Sequence, residues 1–232
     1  MHSELVHREQ PSPNWDERAL PVTMVVLHYT EMACDAALAR LCDPEAKVSA
    51  HYFISEAGEV VRLVDEAKRA WHAGASYWRG HKDVNSASVG IELDNPGHAL
   101  GYREFPEAQI EALIPLLHDI VRRHDIPRAN VVGHSDVAPA RKIDPGELFP
   151  WGALALAGIG LWPQTRKHAL KVPFEAGLRA FGYGLRPDVD VRTETVIEAF
   201  QRHFRPARID GVADIECERI LAALLAEIDL GH

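Results

Sequence analysis

Residues 131–146 read VVGHSDVAPARKIDPG. Val131 and Val132 form a short β-branched strand, and beyond Gly133 the prolines and glycines interrupt any helix, so an ordered loop is expected to leave the strand. His134, Lys142 and Asp144 fall within eleven positions of one another in that loop. Residues two apart in an extended run point the same way, so Lys142 and Asp144 can face one site together. An imidazole, an ammonium and a carboxylate in such proximity suit a hydrolytic centre. Taken alone, the same segment also describes a charged surface loop, and the remainder of the chain has to decide between the two.

Upstream, PVTMVVLHY (21–29) is a β-branched apolar run that reads as a buried strand ending at His28. A helix is expected over 33–42. SAHYFI (49–54) and VVRLV (60–64) read as strands joined by a turn over Ser55–Gly58, where glycine supplies the permissive backbone. Residues 66–85 are irregular and carry Trp71, His72, Tyr77 and Trp78, the kind of aromatic-rich, glycine-containing loop that borders a cleft. SVGIEL (88–93) is a further strand with Glu92 in an apolar context. Between Pro106 and His124 the apolar residues 110, 113, 114, 117, 120 and 121 keep the helical period, with Pro115 as an expected kink. Strands alternating with helices predict an α/β fold, a central mixed β-sheet flanked by helices.

Residues 1–20 are polar and aperiodic and read as an arm rather than a packed element. PQTRKHALKVP (163–173) is polar and proline-bounded and reads as a linker. Residues 174–232 look purely helical, with apolar faces at Phe174/Leu178/Phe181, Val196/Ile197/Phe200/Phe204 and Ile220/Leu221/Leu224/Leu225/Ile228, and Thr193 as an N-cap. Three such helices can close a small core of their own, so a separate C-terminal three-helix domain is expected.

The formal net charge of −9 argues against a general nucleic-acid binder, whose affinity comes from neutralising phosphates. Cys34, Cys42 and Cys217 are odd in number and lack CxxC spacing, so neither a disulfide framework nor a cysteine zinc site is expected. No signal-peptide h-region and no run of membrane-spanning length is visible. That leaves cytoplasmic action open.

Two imidazoles and a carboxylate with one position left for water are a common catalytic zinc set, and His28, His134 and Asp144 stand at strand ends or in the loop beyond. No HExxH helix is present. On spacing alone, His51 and His72 compete as ligands.

VVLHYT (25–30), SAHYFI (49–54), AWHAG (70–74), SVGIEL (88–93) and VVGHSDVAPARKIDPG (131–146) occur in a characteristic order. Together they resemble the zinc-dependent N-acetylmuramoyl-L-alanine amidases of the AmpD/AmiD (amidase type 2) family, related to the peptidoglycan recognition proteins. The likeness is strongest to its AmiD branch. It continues through FPWGALALAGIGLW (149–162) into VIEAFQRHFRP and DGVADIE, which look like that branch's peptidoglycan-binding-like helical domain. The resemblance implies a zinc amidase domain over 21–162 that cuts the bond between N-acetylmuramic acid and L-alanine in peptidoglycan or muropeptides. It implies Zn2+ held by His28, His134 and Asp144, with Glu92 and Lys142 as catalytic residues. Tyr29, Trp71 and His72 would border the substrate, His51 would sit in the core or just behind the metal, and Asp136 would orient or cap the loop. The wall-binding tail favours action in the periplasm or cell envelope. The rival from another class is a non-catalytic peptidoglycan recognition module using the same cleft.

Overall fold

The computed structural model describes residues 5–163, 169–185 and 191–229. The strands are β1 (Arg8–Glu9), β2 (Trp15–Glu17), β3 (Met24–Tyr29), β4 (Tyr52–Ile54), β5 (Val60–Arg62), β6 (Lys68–Ala70), β7 (Ser88–Leu93) and β8 (Val131–Gly133). The helices are α1 (Cys34–Leu41), α2 (Val84–Ala87), α3 (Gly97–Leu100), α4 (Glu107–His124), α5 (His134–Val137), α6 (Trp151–Leu156), α7 (Phe174–Phe181), α8 (Thr193–Phe204) and α9 (Ile215–Asp229). The main sheet has the order β1-β5-β4-β7-β3-β8, and β2 pairs with β6 in a small second sheet. The β4–β5 hairpin is antiparallel, whereas β4, β7, β3 and β8 run parallel, so the sheet is mixed as expected.

Because side chains alternate across a strand, the central strands divide their residues between two faces. Val25, Leu27 and Tyr29 of β3 and Val89, Ile91 and Leu93 of β7 pack on one side with Leu113, Leu116, Leu117 and Ile120 of α4. Met24 and Val26 face the other side, together with Val132 of β8. His28, next in that alternation, stands on the same face, at the carboxyl end of β3.

The second face does not end at the sheet. Met24, Val26, Val132 and Trp78 share one core with Phe174, Leu178 and Phe181 of α7, Val196, Phe200 and Phe204 of α8, and Ile220 and Leu221 of α9. Trp78 meets Phe181 edge-on at 5.9 Å and Tyr183 at 5.1 Å. The expected self-contained three-helix core is therefore shared with the sheet. Each helix presents a stripe that its two neighbours cannot fully cover, and the sheet supplies the remaining wall. The residue flanking α8 is Arg192, with no side-chain cap, so Thr193 opens the helix rather than capping it. Residues 164–168 of the expected linker lie outside the described residues, as do 186–190 and 230–232 of the helical segment.

Truncation before residue 174 tests this shared core. Uncovering Trp78, Met24 and Val132 removes burial on the order of 1.5–3 kcal/mol each, against a net stability of roughly 5–15 kcal/mol for a domain. The truncated chain is expected to lose its cooperative thermal transition and to bind a hydrophobic dye. A melt indistinguishable from that of the whole chain would show that the helices take no part in the main core.

The N-terminal stretch is also tied down, contrary to its reading as an unpacked arm. β1 pairs in parallel with β5 and β2 pairs antiparallel with β6. Ser12 donates to the Leu41 carbonyl at 2.5 Å, and Asn14 donates to the Asp43 and Val48 carbonyls, both at 2.8 Å. The Arg18 guanidinium donates to the carbonyls of Glu66, Lys68, Ser86 and Ser88. Such anchoring is polar, so it leaves no apolar periodicity in the sequence.

Candidate metal centre and its cleft

Parallel pairing aligns the centre. In the register of β3 and β7, His28 lies directly opposite Glu92. On the other flank Leu27 is paired with Gly133, which places His134 one residue beyond the end of β8. Three strands thus deliver His28, Glu92 and His134 to one place at their carboxyl ends, where open α/β sheets leave a crevice.

Where the sequence predicts an ordered loop without helix, His134 opens the single helical turn α5. Asp136 explains the difference, because its Oδ2 accepts the Gly133 amide at 2.8 Å and caps the turn from inside. Oδ2 also accepts from His203 Nδ1 at 2.8 Å, and Oδ1 accepts from the Tyr183 hydroxyl at 2.6 Å. The metal loop is therefore braced by the C-terminal helical segment, a long-range role for Tyr183 and His203 with no local sequence signal. The loop returns so that Ser135 N–H donates to the Asp144 carbonyl at 2.8 Å. Gly133 permits the return: a Cβ there would lie 2.7 Å from Pro145 Cδ.

His28 Nδ1, His134 Nδ1 and Asp144 Oδ2 converge, at 2.9 Å between the two nitrogens and 3.1 Å from each nitrogen to the oxygen. All three residues are buried, and among the described residues they are the group of three such side chains whose donor atoms lie within 4.8 Å of one another. His134 Nε2 lies 3.2 Å from the Ala73 carbonyl, which can only accept, so that nitrogen carries the proton and Nδ1 presents a lone pair inward. Lone pairs crowded against a buried carboxylate repel one another unless a cation sits among them, and the residues fit a divalent metal on that ground. Burial first, and then His134, push the His28 imidazole down to about 4, with Asp144 partly opposing. Burial would raise the Asp144 carboxyl, but its two imidazole neighbours, His134 first and then His28, hold it far below the usual carboxylate range.

His134 and Asp144 form part of the wall of a cleft of about 540 Å³ that Tyr29, Arg40, Trp71, His72, Glu92, Arg141 and Lys142 also line. Glu92 Oε2 is buried with no hydrogen-bond partner, and desolvation, followed by the Asp144 charge, pushes its carboxyl well above the usual range. Lys142 is half-buried, and no ion pair with Asp144 or Asp136 engages its ammonium among the described residues. Tyr29 is buried with its oxygen 2.8 Å from His98 Nδ1, and Trp71 Nε1 donates to Asp16 at 2.8 Å. Arg141 and Arg40 line the cleft but were not singled out in the sequence. Arg141 donates to the carbonyls of Ala73 and Ala75, and its place beside Lys142 in the loop was the available clue.

The competing imidazoles fall outside the converging set. His51 is fully buried, with Nδ1 accepting from the Gly90 amide and Nε2 lying 2.9 Å from Arg18. His72 stands behind His28, its Nδ1 3.0 Å from His28 Nε2.

Burial holds His51 at about 4 rather than 6.5. Between those values the unfolded chain takes up a proton that the folded chain refuses. Stability is therefore unaffected by this group above pH 6.5 and lost as pH falls toward 4, by on the order of 3 kcal/mol for one such histidine. Thermal melts of chelator-treated Glu92→Gln protein, which lacks the opposite trend of that carboxyl, should be level above pH 6.5 and drop below it. A melting temperature that stays level down to pH 4 would contradict a neutral buried imidazole.

Comparison with known proteins bears on the chemistry. A family model described as N-acetylmuramoyl-L-alanine amidase matches residues 18–147. N-acetylmuramoyl-L-alanine amidase AmiD of Escherichia coli (strain K12) is 41% identical over 229 residues, 88% of this chain and 82% of the relative. 1,6-Anhydro-N-acetylmuramyl-L-alanine amidase AmpD of Enterobacter cloacae is 34% identical, over 62% of this chain and 86% of the relative. The solved complex of E. coli AmiD with anhydro-N-acetylmuramic acid-L-Ala-D-gamma-Glu-L-Lys superposes with a TM-score of 0.80 at 40% identity, covering 91% of this chain and 92% of that one.

Proposed function

The chain belongs to the N-acetylmuramoyl-L-alanine amidase family, and from that premise we propose that it hydrolyses the amide joining the lactyl group of N-acetylmuramic acid to L-alanine, using zinc held by His28, His134 and Asp144. The observation that carries this reading is the convergence of two imidazole nitrogens and a carboxylate oxygen at a cleft that His134, Asp144 and Glu92 line, with Glu92 Oε2 buried and unpartnered. Two nitrogens and one oxygen make a donor set suited to zinc with a position left open. Zinc, when bound there, supplies the Lewis acidity that makes water nucleophilic near pH 7.

Glu92 takes the proton from the attacking water as the new carbon–oxygen bond forms, and returns it to the alanine nitrogen as the carbon–nitrogen bond breaks. A carboxyl whose affinity for protons is raised by burial suits both halves of that transfer. Lys142 holds the carbonyl oxygen as negative charge develops on it. The ammonium is free for this, having no carboxylate partner among the described residues. One preorganised donor of this kind contributes about 3 kcal/mol of barrier lowering. Lys142→Ala should therefore keep its zinc while kcat falls roughly 100- to 1,000-fold, and near-full turnover would remove the lysine from the mechanism.

The substrate reading draws on the relatives, whose names and bound ligand are anhydromuramyl peptides. Arg40, Trp71 and Arg141 in the cleft suit a ligand with carboxylates along a peptide and an apolar sugar face. On the same reading the catalytic unit spans 21–162 and the helices beyond 174 are its peptidoglycan-binding-like companion. A non-catalytic recognition module would need neither a complete ligand set nor Glu92. Peptide release from purified sacculi, abolished by chelation and restored by zinc, tests the proposal; retained binding without release would overturn it. Faster release from sacculi than from a soluble anhydro-muropeptide supports action in the periplasm or cell envelope, and the reverse order supports cytoplasmic recycling.

A further inference from the structure

We propose that His72, with Ser88 behind it, is a positioning residue that fixes His28 as its Nε2–H tautomer and so keeps the Nδ1 lone pair turned toward the metal centre. The inference rests on the zinc reading above and follows from counting donors and acceptors. Ser88 Oγ lies 2.5 Å from the Val84 carbonyl and 3.2 Å from His72 Nε2. A carbonyl cannot donate, so the one hydroxyl proton of Ser88 points at Val84 and its oxygen accepts from His72. His72 therefore carries its proton on Nε2 and offers a lone pair at Nδ1. His28 Nε2 is 3.0 Å from that lone pair and has to donate to it. His28 Nδ1 is then left without a proton, at 2.9 Å from His134 Nδ1 and 3.1 Å from Asp144 Oδ2.

The surroundings hold His72 in this orientation. The amides of His72 and Ala73 both donate to Asn85 Oδ1, at 3.1 and 2.7 Å. A Cβ on Gly90 would lie 2.4 Å from His72 Cγ, so only glycine at that point of β7 lets the ring occupy its place. Ser88, Gly90 and Glu92 alternate onto one face of β7, and a single strand thus carries the proposed general base, the space for the relay and its terminal acceptor. Partners behind a metal-bound histidine that set its tautomer typically change metal affinity ~10- to 100-fold when removed.

Two readouts independent of turnover test the relay. In nitrogen-15 histidine spectra of the metal-free and zinc-loaded protein, His28 and His72 should both appear as Nε2–H tautomers; a Nδ1–H His28 in the metal-free protein would overturn the proposal. In competition with a chromophoric chelator, His72→Ala and Ser88→Ala should bind zinc ~10- to 100-fold more weakly. His72→Asn, whose amide oxygen can stand near the position of Nδ1, should recover most of that loss. Affinity equal to wild type in His72→Ala, or losses that follow melting temperature rather than the presence of an acceptor, would show that His72 only fills space. A wild-type chain that holds His28 as Nε2–H yet binds no zinc would support the relay and count against the zinc reading instead.

Discussion

His28→Ala should yield a protein that binds no zinc and whose hydrolysis falls at least ~10⁴-fold, toward the uncatalysed rate. His28 is one corner of the converging triangle, within 2.9 Å of His134 and 3.1 Å of Asp144, and its loss leaves two donors where a catalytic set needs three and a water. His134 and Asp144 alone offer one nitrogen and one oxygen from the same loop, with no strand opposite to complete the coordination. Losing the zinc also removes the stability that its binding adds to the folded chain, so a melting temperature below that of the zinc-loaded wild type is expected as well. Metal analysis of the purified variant checks the assignment. One tightly held zinc would move the ligand to His51 or His72.

Glu92→Gln should separate chemistry from metal binding. The amide keeps the shape of the side chain but cannot take a proton, so zinc should remain while kcat falls roughly 10²- to 10⁴-fold. Stability should move the other way. The Glu92 carboxyl is pushed well above its ordinary 4.5 by burial. Its ionised form is thus disfavoured in the folded chain, and stability present below pH 4.5 is lost as pH rises. Removing the charge in the metal-free protein should therefore raise its melting temperature at neutral pH while abolishing turnover. A variant both inactive and less stable would point to a structural role, and one that keeps its rate would take Glu92 out of the proton transfer.

Elements with strong apolar periodicity were legible from the sequence. The strand ending at His28, the strand carrying Glu92 and the helix over 107–124 appear where the pattern places them, because each buries a continuous face. Short polar elements were not. β1 and β2 are two and three exposed residues long, and the stretch between and after them is held by Ser12, Asn14 and Arg18 donating to distant carbonyls, which no local pattern records. The turn at His134–Val137 is likewise too brief for periodicity and depends on Asp136, whose partners Tyr183 and His203 lie 47 and 67 residues away.

The ligand set shows the same division. Spacing alone left His51 and His72 level with His28, and only the order of motifs favoured His28, His134 and Asp144. Parallel strand register explains why spacing could not decide. His28 and Glu92 are far apart in the chain but directly opposed in the sheet, and His72 arrives from an irregular segment behind them. The C-terminal helices, expected as a separate unit, share a core with the sheet and grip the metal loop through His203 and Tyr183. Deleting them would therefore disturb the centre itself, and substrate preference is better compared on the whole chain.

Hydrolysis in oxygen-18 water of anhydro-N-acetylmuramic acid carrying a stem peptide tests the central claim most directly. The account predicts one labelled oxygen in the lactyl carboxylate of the sugar product, none in the peptide, and a free L-alanine amino terminus, all dependent on zinc. Binding without cleavage, or label entering a carboxylate within the peptide, would contradict it.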